Sequence, residues 1–363
     1  MARVPLLFQP ISFRSVTARN RIAVSPMCQY SAIDGLPNDW HVQHLGARAM
    51  GGAGIVFTEA SAVSPLGRIT PNDLGLYNDA QQAAFARLAA LIALGGAIPG
   101  IQIAHAGRKA SCTRPWESDS FIPVAEGGWQ TQAPTAQGFS QTKDREPHAL
   151  TPAEIGTVVA QFAATARRAL AAGFKIAEIH AAHGYLLHSF LSPISNTRTD
   201  AYGGDVNGRA RMLMEVLDAV RAVWPAELPL FVRLSCSDFI AGGLTPDGDI
   251  LTIARMIAAR GDVDLIDCSA GGIAPEQKIP SLHPGYQVPF AESLRRDAGI
   301  ATGAVGLIEQ PTHAAEIIAN GRADIVLLAR AVLADPAWPL RAARRLGVEV
   351  ELPGPYGRAT VHE

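Results

Sequence analysis

Four cysteines in 363 residues, at positions 28, 112, 236 and 268, are too few and too far apart for a disulfide framework, and no two form a CxxC pair. Such sparse usage fits a reducing compartment. No sign of charge prevails either, since 31 Lys and Arg face 33 Asp and Glu for a net charge of −2. Binding to nucleic acid through phosphate neutralisation is thereby disfavoured. Long hydrophobic runs are missing: nothing approaches the roughly 18 apolar residues of a membrane span, and residues 1–14 hold only a short apolar run broken by prolines, unlike a signal peptide. These absences predict a cytoplasmic protein with neither nucleic-acid nor membrane partners.

What the chain does have is 48% hydrophobic residues, enough for a large core, together with 34 Gly and 25 Pro, too many for a helical bundle. Length alone leaves two domains or one large barrel open. The turns punctuate a regular rhythm. Short β-branched apolar runs at 21–25, 54–59, 98–104, 174–180, 230–234, 264–269, 300–305 and 324–328 alternate with helical periodicity at 42–50, 80–94, 152–172, 207–223, 249–260, 290–297, 311–320 and 336–346. Thr151, Pro152 and Glu154 supply an N-cap, a first-turn proline and a capping box, and Gly173 and Gly321 follow helix ends. Eight such units predict an α/β fold, a single (β/α)8 TIM barrel formed by the whole chain, 1–363, as one domain. Insertions are expected after strand 3 (106–150) and strand 6 (270–289), with a polar tail at 347–363.

In this architecture, polar residues at the C-terminal ends of strands are the ones with chemistry to do. Strand 1 leads to Ser25, Pro26, Met27, Cys28, Gln29 and Tyr30; strand 2 to Glu59 and Ala60; strand 3 to Gln102 and His105 through Lys109. Strand 4 ends Glu178, Ile179, His180, then His183 and Tyr185; strand 5 carries Arg233; strand 6 ends at Ser269. Gly303 and Gly306 after strand 7, with Ala329 and Arg330 after strand 8, suit the fold's usual phosphate site, so a phosphorylated ligand is implied. As ordinary loop glycines and a solvated arginine they would imply nothing. His180 and His183 have a spacing that a metal site can use, but a third ligand is not evident and Arg233 would repel a cation. No metal is expected. The pair reads either as turn histidines satisfied by their neighbours or as two donors aimed at one oxygen, with Tyr185 beside them.

The motifs at 25–30, 102–109, 180–193, 196–204 and 207–209 together closely resemble the old yellow enzyme family of FMN-dependent ene reductases. Cys28 and Tyr30 are similar to its thermophilic-like (class III) subgroup. The resemblance runs from Leu6 to Trp338. It implies FMN at the barrel mouth, with Ser25, Pro26, Met27 and Cys28 along the isoalloxazine, Ala60 and Gln102 at its pyrimidine side, and Arg233 by N1 and the C2 carbonyl. Gly306, Ala329 and Arg330 match the phosphate end. It further implies NADPH, or NADH, as hydride donor and an α,β-unsaturated carbonyl or nitro compound as acceptor. In that scheme His180 and His183 hold the substrate oxygen, Tyr185 donates the proton, Tyr30 adds a hydrogen bond, and Cys28 modulates the flavin rather than attacking anything.

Trp116 and Trp129 in the first insertion either cap the site or anchor the loop. Tyr356 to Arg358 resembles a tail that reaches a neighbouring subunit's active site, which implies a homodimer or dimer of dimers with Arg358 as a substrate contact. Other readings have their own requirements: a different FMN-dependent barrel reductase of the 2,4-dienoyl-CoA reductase kind, a metal-dependent hydrolase lacking evident ligands, a Schiff-base aldolase lacking a strand-end lysine, or a non-catalytic binding protein. Yellow colour and FMN release on denaturation would separate the flavoprotein readings from the rest.

Overall fold

The computed structural model describes residues 4–118, 120–140, 146–350, 352 and 354–359. The chain opens with a hairpin, β1 (Ile11–Phe13) and β2 (Val16–Ala18), followed by β3 (Ile22–Val24), α1 (Asp39–Met50), β4 (Ile55–Ala62), α2 (Asp79–Leu94) and β5 (Ile98–Ala104). The first insertion contributes β6 (Gln132–Ala133) and β7 (His148–Ala149) before α3 (Pro152–Ala171) and β8 (Ile176–Ala181). Then come α4 (Leu186–Leu191), α5 (Val206–Arg221), β9 (Leu230–Ser235), α6 (Asp249–Arg260), β10 (Leu265–Ser269) and α7 (Val288–Asp297). The chain continues through β11 (Thr302–Ala304), α8 (Pro311–Ala319), β12 (Ile325–Leu328), α9 (Arg330–Ala334) and α10 (Trp338–Arg345).

Strands β3, β4, β5, β8, β9, β10, β11 and β12 pair in that order, each parallel to the next, and close on themselves. Each of the eight expected strands is one of these, so the TIM barrel is observed. Strands β8, β9 and β10 are buried from end to end because helices cover one face and the lumen the other. Alternate residues divide accordingly. Ile55, Phe57, Ile176, Phe231, Leu265, Ile325 and Leu327 fill the lumen as one apolar cluster. Their neighbours Val56, Ile101, Ile179, Val232, Ile266 and Val326 belong to a second cluster, shared with the surrounding helices.

The capping signals at α3 are present: Thr151 and Glu154 form a reciprocal capping box with Pro152 in the first turn. Gly173 and Gly321 adopt φ of +98° and +68°. Three elements differ from expectation. The helix expected over 336–346 is α10, and a further five-residue helix, α9, precedes it and ends just before Pro336. The six-residue α4 is too short to show a helical period. The β1–β2 hairpin, with three residues per strand, is likewise below the length at which alternation is visible.

That hairpin closes the N-terminal end of the barrel. Phe13 enters the lumen cluster edge-on to Phe231, ring centroids 5.0 Å apart. Arg14 at the hairpin turn bonds Asp264 Oδ1 at 2.7 Å and the Ala226 and Gly261 carbonyls, all just ahead of β9 and β10. Phe231→Ala should cost ~3–5 kcal/mol of stability, measured by equilibrium denaturation. A loss below ~1 kcal/mol would show that the lumen does not depend on this aromatic stack.

Candidate active site

The C-terminal ends of the strands border two cavities. One of about 130 Å³ is lined by Arg233, Ser269, Gln287, Gly306, Ala329 and Arg330, among others. Another of about 570 Å³ is lined by Tyr30, Ile69, Lys109, Cys112, Phe139 and Tyr185, among others. Four of the expected cofactor residues therefore meet in the first cavity, and two of the expected substrate residues in the second. Ser25 and Gln102 are buried at the ends of β3 and β5. Pro26, Met27 and Cys28 follow Ser25 in a half-buried segment. Ala60 sits where the register of β4 shifts against β5, and with Asp73 and Tyr185 it lines a void of about 10 Å³.

The histidine pair is held by local backbone geometry. His180 lies in β8, and the chain then turns through His183 at φ +59° and Gly184 at φ +76°. His180 Nδ1 accepts from the Ala182 N–H at 3.2 Å, which leaves its proton on Nε2. That nitrogen lies 3.3 Å from His183 Nδ1, while His183 Nε2 lies 2.6 Å from Ser269 Oγ. His180 Nε2–H therefore donates to His183 Nδ1, and a neutral His183 carries its own proton on Nε2, facing Ser269 Oγ, an assignment read from the hydrogen-bond network. The two rings thus meet edge to edge at the strand end, joined to Ser269 in one chain of hydrogen bonds. Burial first, and then the charge of Arg233, holds both imidazoles well below their ordinary pKa, so both are neutral at pH 7.

Tyr185 stands edge-on to His180, centroids 5.0 Å apart. Burial raises its phenol well above the ordinary value, so it keeps a proton at neutral pH. The Lys109 ammonium lies 5.3 Å from this ring and donates to the His183 and Gly272 carbonyls at 2.9 and 3.2 Å. Tyr30 is held at φ +50°. The residue before it, Gln29, donates its backbone N–H to Glu59, whose other oxygen lies 2.9 Å from His41 Nε2. Burial, and next the charges of Asp73 and Glu59, push the Cys28 thiol well above its usual pKa, so it is not a thiolate at pH 7.

Several residues with evident work here had no role assigned from sequence. Glu59 and Ser269 stand at strand ends, yet only the structure shows what they touch. His188 accepts from the Gly184 N–H at 2.8 Å and lies 3.0 Å from Asp238, both side chains fully buried behind the histidine turn. No spacing rule links 188 to 238. Trp129 anchors the first insertion through Leu66 O at 3.0 Å and Arg68, whereas Trp116 packs edge-on against Tyr30 at 5.8 Å. Arg358 is exposed. Nearby Leu352 and Gly354 line a cavity with Arg19, Asn20 and Gly96 beyond the opposite end of the barrel, so this chain's own site and its tail are separate.

The first cavity brings the Arg330 side chain together with the Gly306 backbone. Gly306 adopts φ +117°, and a Cβ there would press on Gln287 at 2.9 Å. Gln287 Oε1 is buried with no hydrogen-bond partner. A model of the NADH:flavin oxidoreductase / NADH oxidase family matches residues 6–349. The chain belongs to that family. An NADPH dehydrogenase of Geobacillus sp. (strain WCH70) is 47% identical over 355 residues, covering 97% of this chain and 98% of that one. The old yellow enzyme homologue of Zymomonas mobilis superposes with a TM-score of 0.78 at 26% identity, covering 99% of this chain and all of that one. Morphinone reductase in complex with tetrahydroNAD superposes with a TM-score of 0.77 at 27% identity, covering 97% and 94% of the two chains.

Membership in this flavin oxidoreductase family makes the protein an FMN-dependent, NADPH-using oxidoreductase of the old yellow enzyme type. Among the described residues, no helix is long and apolar enough to cross a membrane, and no three His, Cys, Asp or Glu side chains are grouped to hold a metal ion. Because His180 and His183 are neutral throughout, affinity for an uncharged carbonyl ligand should be flat from pH 6 to 8, followed by flavin absorbance changes. A sigmoid centred near 6.5 that disappears in His180→Ala would contradict this.

Proposed function

We propose that the protein reduces the activated C=C bond of α,β-unsaturated carbonyl or nitro compounds at the expense of NADPH. The carrying observation is the convergence of His180 Nε2 and His183 Nδ1, 3.3 Å apart, with the Tyr185 phenol packed against His180 at the wall of the larger cavity. An oxygen that enters between the two rings takes the His180 Nε2–H and, once the Ser269 hydroxyl donates to His183 Nε2, a second N–H from His183 Nδ1, with the Tyr185 proton nearby.

FMN supplies hydride transfer, from nicotinamide to the substrate β-carbon. Ser25, Pro26, Met27, Cys28, Ala60, Gln102 and Arg233 hold its ring system, and Gly306, Ala329 and Arg330 its phosphate. Gln102 gives one Nε2–H to Glu178, which leaves its carbonyl oxygen and second N–H for the cofactor. His180 and His183 hold the substrate oxygen and stabilise the negative charge that develops there, without gaining a proton of their own. Tyr185 gives its hydroxyl proton to the α-carbon, and a phenol this weakly acidic can do so because the acceptor is a far stronger base. Tyr30 adds a substrate contact. The same reading places a single-domain protein in the cytoplasm, in keeping with its sparse cysteines, none of which is in a disulfide, and assembles it as a homodimer or dimer of dimers with Arg358 reaching a neighbouring site.

Tyr185→Phe should lower turnover of an enone ~10²–10⁴-fold while leaving rapid flavin reduction by NADPH unchanged, resolved by stopped-flow of the two half-reactions. Equal slowing of both would remove the proton-donor role. Arg358→Ala should raise the enone KM with the subunit number intact by light scattering; an unchanged KM would end the shared-site idea.

A further inference from the structure

Two carboxylates and one guanidinium lie together where the apolar lumen gives way to the polar layer above it. Asp267 Oδ2 is 3.0 Å from Arg233 Nε, and Glu178 Oε1 accepts from Gln102 Nε2 at 2.8 Å. The strands β8, β9 and β10 that carry Glu178, Arg233 and Asp267 are adjacent, with Arg233 in register with Asp267. Glu178 and Asp267 are 0% exposed and Arg233 is 6% exposed. Glu178 Oε2 and Asp267 Oδ1 have no hydrogen-bond partner. Fully ionised, the cluster would carry one net negative charge beside Phe231 and Leu265 of the lumen, a position where an uncompensated charge is costly. A single proton removes that charge, and of the two unpartnered oxygens Glu178 Oε2 is the one on the carboxylate that has no ion pair with Arg233.

We propose that Glu178 and Asp267 share one proton whose retention depends on the redox state of FMN held over Arg233, so that flavin reduction draws a proton from solvent into the barrel. The inference rests on the placement of FMN proposed above. NADPH supplies the two electrons as hydride; the additional proton comes from water and binds Glu178 Oε2, with no other bond made or broken. Negative charge gained on the cofactor side of Arg233 competes for the guanidinium that also serves the carboxylates. Their proton affinity therefore rises on reduction.

The groups acting on Glu178 are few. Asp267 on β10 raises its pKa, Arg233 on β9 and the neutral Gln102 on β5 lower it, and burial, the largest cause, brings it to about 8. Burial likewise raises Asp267, against the pull of Arg233. On Glu178's own strand, His180 is neutral. Below about pH 8 the pair keeps its proton in both redox states. Above it the oxidised protein has lost the proton and reduction restores it.

The test is the midpoint potential of the bound flavin, by spectroelectrochemistry of the holoenzyme from pH 7 to 9.5. Above pH 8 the reduction equilibrium should gain one further tenfold dependence per pH unit, about 30 mV for a two-electron couple. Glu178→Gln should lose that additional dependence while keeping its flavin spectrum and melting temperature. The same slope in both proteins would overturn the proposal. If Glu178→Gln does not fold, proton uptake on reduction of the wild-type holoenzyme, followed with an indicator dye, decides: it should rise by one proton between pH 7 and 9.5, and a constant value overturns the idea. Arg233→Gln separates the two readings. An unchanged potential would mean that FMN does not lie over Arg233, which sinks both; a lowered potential with no steepening in the wild type sinks only the proton pair.

Discussion

Closing eight parallel strands into a cylinder obliges half of their residues to face inward, where nothing but other side chains can satisfy them. Most of the present architecture follows from how that interior is filled. Its lower part is apolar, from Ile55, Ile176, Leu265 and Ile325 up to Phe57, Phe231 and Leu327. Above this level the inward positions become Gln102, Glu178, His180, Arg233, Asp267 and Ser269, and all six are buried. Polar groups withdrawn from water in this way need partners, so each constrains its neighbours. The order needed for chemistry at the mouth is supplied by the requirement to satisfy this layer.

The same economy operates one step further out. The loops that carry Tyr30 and His183 each have a buried carboxylate behind them, and so does the loop at Ile69 and Thr70. Glu59 ties the Cys28–Tyr30 segment to His41. Asp238 backs His188, which in turn takes the Gly184 N–H next to His183. Asp73 accepts from the Ile69 N–H and the Thr70 hydroxyl, both at 2.7 Å, beside the small void it shares with Tyr185. Tyr30 and His183 sit at positive φ, a conformation unfavourable for residues with a Cβ, and these clamps help to hold them there.

What could be read from sequence and what could not divide along physical lines. Strand order was legible because buried parallel strands are continuous apolar runs and the helices between them carry caps such as Thr151 and Glu154. Residues at strand ends, among them His180, Arg233 and Gly306, were legible because barrel chemistry concentrates there. Partnerships across the barrel were not. Glu178 meets Gln102 across 76 residues and His183 meets Ser269 across 86, distances at which only folding decides the neighbour. Nor could sequence distinguish Trp129, which anchors its loop, from Trp116, which touches Tyr30. Arg358, read as reaching a neighbouring subunit's site, is exposed on its own chain.

The rim of the larger cavity is stitched from separate parts of the chain. Arg108 donates to the Ile273 carbonyl, and Lys109 to those of Gly272 and His183. A Cβ on Gly184 would collide with the Gly272 carbonyl, so these backbones are already in contact. Two insertions that leave different strands are thus pinned to each other and to the histidine turn. In mechanical terms this rim is a frame, not a pair of hinged flaps. A frame discriminates by the side chains set into its aperture, here Ile69, Cys112, Phe139 and Pro275. Changes in what the barrel admits would then arise by exchanging those side chains one at a time, with the stitching left intact.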